Sequence, residues 1–190
     1  NSIQQMILAG DESNATIYLS KFSRLLRMVL SHSDRERVTL KEELETLKLY
    51  VELESLRFKE SFHHQIICDE AVDTDEIKIP TLLIQPFVEN AIWHGLLHKE
   101  GDRSLLIKFT EDTTENIVCI VQDNGIGREA SGKMNTINNH VSKGIAVAEE
   151  RLRTYNDQHI QKSNVLIEDL KDISGNAAGT RVTMTLPLLN

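Results

Sequence analysis

The chain has 190 residues, of which 40% are hydrophobic and 26% are charged, and its formal net charge is −8. This composition is ordinary for a soluble domain and does not predict disorder. The negative charge, without a long run of lysine or arginine, argues against a surface that coats DNA or RNA, so we expect no nucleic-acid partner. No apolar run is long enough to span a bilayer. The start, Asn1-Ser2-Ile3, is neither a signal peptide nor an initiator methionine, which favours a piece of a longer protein.

Two helices are predicted in the first 60 residues. Apolar residues recur at helical spacing over residues 14–31, and Asp11 is placed to cap that helix. Thr39 and Glu42 have the spacing of a capping box at the start of a second helix. The second helix carries a wide apolar stripe: Leu40, Leu44, Leu47, Tyr50, Val51, Leu53 and Leu56. These features predict a helical hairpin, and the stripe fits either a simple α-domain or a helix pair that dimerises.

The hydrophobic period changes after residue 60. Residues 62–68 have strand character, and residues 69–76 form an acidic loop. Pro80 is then expected to open a strongly apolar helix over residues 81–93, which ends at Gly95, where a C-terminal glycine is common.

The second half alternates strands and helices. Strands are predicted at 105–109, 117–121, 165–168 and 180–186. The polar segment 128–143 has no apolar period, so it is either disordered or a functional lid, and Gly144 is expected to begin a helix that reaches about residue 155.

This order predicts an α+β fold, namely a two-layer α/β sandwich with helices on one face of a sheet, preceded by the helical hairpin. We place the domain boundary near residue 60, so that residues 1–60 form the helical part and residues 61–190 form a second domain. Cys68 and Cys119 both lie in apolar, strand-like runs. We therefore expect buried, reduced thiols and a reducing cytoplasm.

A glycine-rich turn follows the apolar run 117–121. It reads Asp123-Asn124-Gly125-Ile126-Gly127. One acidic residue leaves the strand, and the two glycines allow the backbone to approach a ligand where a Cβ would collide. The motif favours a nucleotide pocket in this context, although Asp-Asn-Gly is also ordinary turn chemistry.

Three polar residues interrupt the apolar helix before this turn: Glu89, Asn90 and His94. A buried polar side chain needs a partner, so these residues are either satisfied within the structure or face a cleft. Asn90 and His94 are four residues apart and are predicted to share one helical face.

Taken together and in order, these motifs resemble a known ATP-binding fold. The matching residues are Glu89-Asn90-Ala91 with His94-Gly95, Asp123-Asn124-Gly125-Ile126-Gly127, Gly144 before Glu150-Arg151-Leu152, and Gly179-Thr180. This set is similar to the ATP-binding domain of sensor histidine kinases, which gyrase, Hsp90 and MutL share. Upstream, Leu25-Leu26-Arg27, Leu40-x-x-Glu43-Leu44, Tyr50-x-x-x-Glu54, Arg57-Phe58 and Ile79-Pro80 resemble the LytS-type branch of these kinases.

The resemblance implies the residues that would recognise the adenine of ATP. It assigns the Asp123 carboxylate to the exocyclic amine, and an ionised carboxylate suits this role because it accepts the hydrogen that guanine does not present there. It also implies that Gly125 and Gly127 give the backbone access to the nucleotide, and that Thr180 lies near the adenine.

The resemblance also implies a phosphate site. Asn90 would coordinate the Mg²⁺ that bridges the phosphates, since an amide oxygen is a ligand for a hard cation. Gly144 would offer amides and the positive end of a helix, with Lys143 adding a point charge. The position after Ile92 is often lysine in related kinases and is Trp93 here, so Lys143 or His94 would supply that contact.

Two further positions differ from the family pattern. The second glycine box commonly has two glycines, whereas Ser142 occupies the first place here. The phosphoacceptor segment Pro-His-Phe-x-Phe-Asn is missing, and the chain is expected to begin just after it. Other histidines lack that context, and most are expected to face solvent: His32, His63, His64, His98, His140 and His159.

The implied activity is transfer of the γ-phosphoryl of Mg²⁺-ATP to a histidine on the missing upstream helix, in the same or the partner subunit, for relay to a response regulator receiver domain. Glu89 would orient the imidazole, or would be a structural carboxylate instead. The parent protein is expected to be a homodimer. It would contact the inner membrane only through the missing N-terminal region, which leaves this portion in the cytoplasm.

Two rival functions remain open at the level of sequence. A degenerate module that binds ATP weakly or not at all and signals by dimerisation is favoured by Trp93 and Ser142. An ATP-hydrolysing clamp of the gyrase or MutL kind needs a catalytic glutamate one turn before Asn90, and that position is Pro86. Proline cannot activate water, so this second rival has little support.

Overall fold

The structure is a computed structural model that describes residues 2–58, 62–112, 116–134, 140–157 and 163–187. The helices are α1 (Ser2–Leu8), α2 (Glu12–Ser33), α3 (Leu40–Arg57), α4 (Gln85–Asn90), α5 (Arg128–Met134) and α6 (His140–Asp157), and a π-helical turn (Ala91–Leu96) continues α4. The strands are β1 (Arg37–Thr39), β2 (His63–Cys68), β3 (Lys78–Pro80), β4 (Ser104–Glu111), β5 (Asn116–Asp123), β6 (Asn164–Lys171) and β7 (Ala177–Pro187).

The two long N-terminal helices form where their caps predict. Asp11 caps the start of α2, and Thr39 and Glu42 make a complete capping box at the start of α3, with hydrogen bonds of 3.2 and 2.9 Å. The two helices pack together, and an ion pair joins Lys21 to Glu52. Both helix predictions are confirmed, with α2 two residues longer at each end than the periodicity indicated.

Five of the strands form one sheet. Its order is β2-β4-β5-β7-β6, with β2 and β4 parallel and every other neighbouring pair antiparallel. Alternate residues on the central strands are fully buried, for example Ile107, Cys119 and Met184, because helices cover one face of the sheet. Strands β1 and β3 form a separate antiparallel pair. The predicted α+β sandwich is confirmed.

One hydrophobic core joins α3 to the sheet. Leu40, Leu47 and Val51 of α3 belong to the same buried cluster as Ile92 and Phe109. The division of the chain at residue 60 stays a prediction, and side chains from both sides of that position share this core.

The helix predicted over 81–93 is wrong in its bounds. Pro80 ends β3, residues 81–84 form a turn in which Leu82 has φ of 55°, and α4 begins only at Gln85. The backbone groups of this turn are bound by distant side chains, which keeps them from entering a helix. Gly95 lies within the π-helical turn and not at a helix end.

Further expectations need correction. α6 begins at His140 and not at Gly144. Within the segment 128–143, α5 is helical and residues 135–139 lie outside the described residues, so neither the predicted disorder nor the lid is tested. Cys68 and Cys119 are free thiols as predicted, but only Cys119 is fully buried.

The histidines differ in their exposure to solvent. His63, His64 and His98 are exposed, whereas His32 is buried at 4% exposure. His32 lies near the end of α2, and its burial lowers its pKa. His32 is therefore an exception to the expectation that most of these histidines face solvent. The side chains of His140 and His159 lie outside the described residues.

Candidate functional site

Asp123 ends β5 with its carboxyl group almost completely buried. The side chain is 4% exposed, and its Oδ1 accepts a hydrogen bond of 2.7 Å from the Gly125 amide. The Thr180 amide, opposite Asp123 in the β5–β7 pair, also donates to it. Burial nevertheless raises the pKa of Asp123 to about 6, because removal from water disfavours the ionised form more than these amides and Lys99 favour it.

Glycines allow the backbone to close around this carboxyl group. A Cβ on Gly95 would lie 2.6 Å from Asp123 Oδ1, and a Cβ on Gly125 would lie 2.3 Å from the carbonyl carbon of Gly95. The Ile126 amide donates to the Gly95 oxygen at 3.2 Å, which ties the glycine-rich turn to the π-helical turn. Gly127 has φ of 78°, in the left-handed region that favours glycine. The close approach seen here joins two segments of the protein itself, and the predicted approach of this turn to a ligand stays a prediction.

Glu89 and Asn90 end α4, and His94 lies in the π-helical turn that follows. Glu89 Oε1 accepts a hydrogen bond of 2.8 Å from Gln85, and burial raises the pKa of Glu89. Asn90 is half-buried, and its side-chain amide has no hydrogen-bond partner within the described residues. Burial, with His98 nearby, lowers the pKa of His94 and favours a neutral imidazole. π-helical turns of this kind are frequent at functional sites.

Trp93 packs on the end of α3. Its ring lies 4.2 Å from the guanidinium carbon of Arg57 and makes an edge-to-face contact with Phe58 at 5.6 Å between centroids. The tryptophan therefore contributes to the contact between the helical hairpin and the π-helical turn. This packing gives a structural reason for an aromatic residue at the position where the resemblance led us to expect lysine.

Three further residues lie close to these groups, and the sequence analysis gave none of them a role in the site. Glu54 is 7% exposed, lies 3.7 Å from Arg57, and has its pKa raised by burial and by the neighbouring Glu89. Tyr50 is buried beside the same two carboxylates. Lys99 donates to the Asn124 carbonyl oxygen at 2.6 Å and places a positive charge near Asp123. Lys99 lies in an irregular polar segment, where no sequence pattern indicated this position.

The predicted phosphate site is only partly described. Gly144 packs against α4, since a Cβ there would lie 3.5 Å from Pro86 Cβ. Only the first turn of a helix leaves amides without intrahelical partners, and Gly144 lies four residues after the first residue of α6. Gly144 is therefore not at the start of the helix, as its expected role required. The side chain of Lys143 lies outside the described residues.

These residues fit a magnesium nucleotide better than a protein-only metal site. Among the described residues, no group of three or more His, Cys, Asp and Glu side chains is arranged to hold a metal ion. Mg²⁺ is commonly bound by one or two protein oxygens together with substrate phosphates, and the available Asn90 amide suits such a role. Asp123 retains lone pairs beyond those used by the backbone amides, so it can accept a further donor.

No helix in the described part of the chain has the length and apolar character needed to cross a membrane.

A cleft of about 440 Å³ lies away from Asp123. It is bounded by the segment that follows α2 and by α6, and its lining includes Arg37, Thr81 and Arg151.

Comparison with known proteins finds sequence similarity to histidine kinases and to LytS sensor proteins. The histidine kinase family model matches residues 1–62. The sensor protein LytS of Oceanobacillus iheyensis is 33% identical over 123 residues, which cover 65% of this chain and 20% of that protein. The sensor histidine kinase/phosphatase LytS of Staphylococcus aureus strain Mu50 is 28% identical over 127 residues, or 67% of this chain and 21% of that protein. The matches thus span about a fifth of the curated relatives.

Solved structures share the fold at low sequence identity. The histidine kinase domain of the Erythrobacter litoralis EL346 blue-light activated histidine kinase superposes with a TM-score of 0.56 at 14% identity, covering 96% of this chain and 86% of that one. A mycobacterial sensor histidine kinase, MprB, gives a TM-score of 0.56 at 10% identity over 80% of this chain and 97% of that one.

Proposed function

We propose that this chain, which belongs to the LytS-type sensor histidine kinases, is the part of its parent protein that binds Mg²⁺-ATP and transfers the γ-phosphoryl group to a histidine upstream. The observation that carries this proposal is the Asp123 carboxyl group, which is buried, held by two backbone amides and covered by the backbone of Gly95. A fixed acceptor of this kind, at the end of a strand, is suited to one specific donor on a ligand.

Asp123 would select the adenine base. The exocyclic amine of adenine donates a hydrogen bond to the ionised carboxylate, whereas guanine presents an acceptor at the corresponding position. The Gly125 amide and the pairing with Thr180 fix the orientation of the carboxylate, so little reorganisation is needed on binding. Gly127 allows the turn to follow the base closely.

Asn90, His94 and the first turn of α6 would hold the phosphates. The Asn90 amide oxygen would be a ligand of Mg²⁺, which neutralises phosphate charge when it is bound. The early amides of α6 lack intrahelical partners and favour an anion, and Lys143, in the same turn, would add a positive charge. Gly144 would then permit α6 to lie against Pro86 at the edge of this site.

In the proposed reaction, an imidazole nitrogen of the upstream histidine forms a bond to the γ-phosphorus while the bond from phosphorus to the β–γ bridging oxygen breaks, and ADP leaves. Such transfer depends mainly on positioning and charge stabilisation. Glu89, held by Gln85 at 2.8 Å, would orient the imidazole. The phosphohistidine then passes its phosphoryl group to an aspartate of a response regulator receiver domain.

The exposed face of α2 supports a homodimer of the full-length protein. Leu19, Phe22, Leu26 and Leu30 follow one helical face and are between 45% and 59% exposed. Covering this face would bring a second set of helices beside the first. We place residues 1–60 in this dimerisation part and 61–190 in the catalytic part, in the cytoplasm, with any membrane segment outside this chain.

A degenerate signalling module is the alternative that a specific observation favours. Trp93 occupies the position where related kinases often have lysine, and it packs on Arg57 rather than offering a charge to phosphate. Such a module would use the same fold and dimerisation face without using ATP.

Calorimetric titration of the chain with ATP in the presence and absence of Mg²⁺ separates these functions. We expect saturable binding that GTP does not match, at least tenfold weaker binding in Asp123→Asn, and a smaller Mg²⁺ effect in Asn90→Ala. The matched control is Asp75→Asn, which removes the same charge from an exposed position and should bind as the unaltered chain does. A folded chain that binds no ATP at millimolar concentration would exclude the catalytic function and support the degenerate module.

A further inference from the structure

The turn before α4 is held by a carboxyl group from another helix. Glu43 of α3 is 0% exposed, its Oε1 accepts a hydrogen bond of 3.4 Å from the Ile84 amide, and the Leu82 amide also donates to its carboxyl group. Leu82 has φ of 55°, which is strained for a residue with a branched side chain. α4 itself has no side-chain cap at its first residues. Glu43 therefore accepts backbone amides immediately before α4, as a capping side chain does at the start of other helices.

A second contact to the same turn comes from α6. Arg151 of α6 donates to the carbonyl oxygen of Thr81, and its charge also acts on Glu43. Thr81 and Arg151 border the open cleft of about 440 Å³, so packing does not enclose this side of the turn. Three helices, α3, α4 and α6, thus meet at residues 81–84.

Burial of a carboxyl group is energetically unfavourable compared with burial of an apolar side chain of similar size. Glu43 Oε2 has no hydrogen-bond partner within the described residues, and burial raises the pKa of Glu43 to about 7. An apolar residue of similar size would fill the same volume without this cost, but it could not accept the two amides. The arrangement is therefore better explained by what the carboxyl group holds than by packing.

We propose that Glu43 is a positioning residue that fixes the turn 81–84 and thereby sets how α4 presents Glu89 and Asn90 to the nucleotide. Because Glu43 belongs to α3, this side chain connects the helical hairpin directly to the turn that precedes α4. Glu89 and Asn90 lie five and six residues after Ile84 on a short, rigid helix, so a change in the turn moves both. This inference rests on the proposed function for its nucleotide readout only.

Two measurements test it on three variants. Glu43→Leu keeps the volume and removes the acceptor, whereas Glu43→Gln keeps a carbonyl oxygen that can accept both amides. Val51→Ala is the matched control, because it removes buried volume from the same helix two turns away. Hydrogen exchange of peptides covering residues 81–90 reports on the turn, and titration with Mg²⁺-ATP reports on the site.

We expect Glu43→Leu to raise exchange at residues 81–90 at least tenfold and to weaken Mg²⁺-ATP binding at least fivefold, while Glu43→Gln restores both to near the unaltered values. Exchange that rises uniformly, as in Val51→Ala, would overturn the proposal, as would a locally loosened turn with unchanged nucleotide affinity. If Glu43→Leu does not fold, Glu43→Asp, which withdraws the carboxyl group by one carbon, is compared with Glu43→Gln in the same way. Failure of the unaltered chain to bind ATP would overturn the proposed function alone, and the exchange data would still decide whether Glu43 fixes the turn.

Discussion

Gly95 lies directly against the Asp123 side chain, so closely that a Cβ at position 95 would be 2.6 Å from Oδ1 and 2.9 Å from Cγ. The two residues come from different elements, the π-helical turn and the end of β5. Their contact means that the segment carrying Asn90 and His94 and the segment carrying the glycine-rich turn form one rigid unit. A substitution at Gly95 should therefore affect the whole unit.

We predict that Gly95→Ala weakens both folding and nucleotide binding. The added methyl group must displace the Asp123 carboxyl group or separate the two segments, which costs about 1–3 kcal/mol of unfolding free energy. Chemical denaturation measures the first effect, and titration with Mg²⁺-ATP measures the second, where we expect at least a tenfold loss. Gly144→Ala is the control for stability, because its Cβ would meet Pro86 at an ordinary 3.5 Å. Equal stability of Gly95→Ala and the unaltered chain would contradict the close contact.

Nucleotide affinity should fall at low pH because of Asp123. Its pKa lies at about 6, and the amine of adenine binds best to the ionised form. If only that form binds, affinity at pH 5 falls by about tenfold relative to pH 7.5. The measurement is the ratio of ATP affinities of the unaltered chain and Asp123→Asn across this range. Titration of the phosphates and of His94 affects both proteins and cancels in the ratio, so a ratio independent of pH would refute this role of Asp123.

Local sequence signals predicted those parts of the fold that depend on neighbouring residues. The capping box of Thr39 and Glu42 was identified because both partners lie within four residues. The strands leading to Asp123 were identified from their apolar pattern, whereas the glycines of the turn were expected to approach a ligand and are found against another segment of the protein. The contact between Gly95 and Asp123 was not predictable, because the two residues are 28 positions apart and neither segment has a local pattern that indicates the other.

The errors arise where distant residues overrule local preference. The apolar run 81–93 has a helical pattern, yet residues 81–84 form a turn in which Leu82 has a positive φ and in which Glu43, about 40 residues earlier, accepts backbone amides. Most histidines outside the motifs were expected in solvent, but His32, near the end of α2, is buried. The roles of the site residues came from resemblance, and they remain predictions for the experiments above.

Trp93 should stabilise the fold through α3, and lysine should not replace it well. Trp93→Lys removes the aromatic contacts with Phe58 and Arg57 and places two positive charges side by side. We expect a loss of about 2 kcal/mol of unfolding free energy, because the ring is half-buried. Circular dichroism during urea denaturation measures this, since the substitution removes the only tryptophan of the chain.

Trp93→Phe is the control for that experiment. It keeps a ring against Phe58 and should lose no more than about half as much stability. If Trp93→Lys binds Mg²⁺-ATP more tightly despite its lower stability, the tryptophan is a departure that weakens phosphate binding. Unchanged affinity would mean that residue 93 faces α3 in the bound state also.

Glu43 should make the stability of the chain depend on pH. Its pKa is raised from 4.5 to about 7 in the folded state. Between these values the folded chain holds a proton that the unfolded chain has released, so the unfolding free energy decreases as pH rises and levels off above about pH 7. The full effect is about 3 kcal/mol for a shift of this size. Glu43→Gln has no proton to lose, so its unfolding free energy, relative to the unaltered chain, should increase by about this amount from pH 4.5 to 7.5.

Urea denaturation at intervals across that range gives the difference directly, and subtraction removes the contributions of Asp123 and the other acidic groups common to both proteins. Glu45→Gln, on the same helix with a side chain 51% exposed, is the matched control. This substitution removes a carboxylate from α3 without touching the buried contacts of Glu43 with the turn. Parallel curves for Glu43→Gln and the unaltered chain would mean that Glu43 ionises at the same pH in the folded and unfolded states, and that the buried carboxyl group has more solvent or more charge compensation than the contacts at the turn provide.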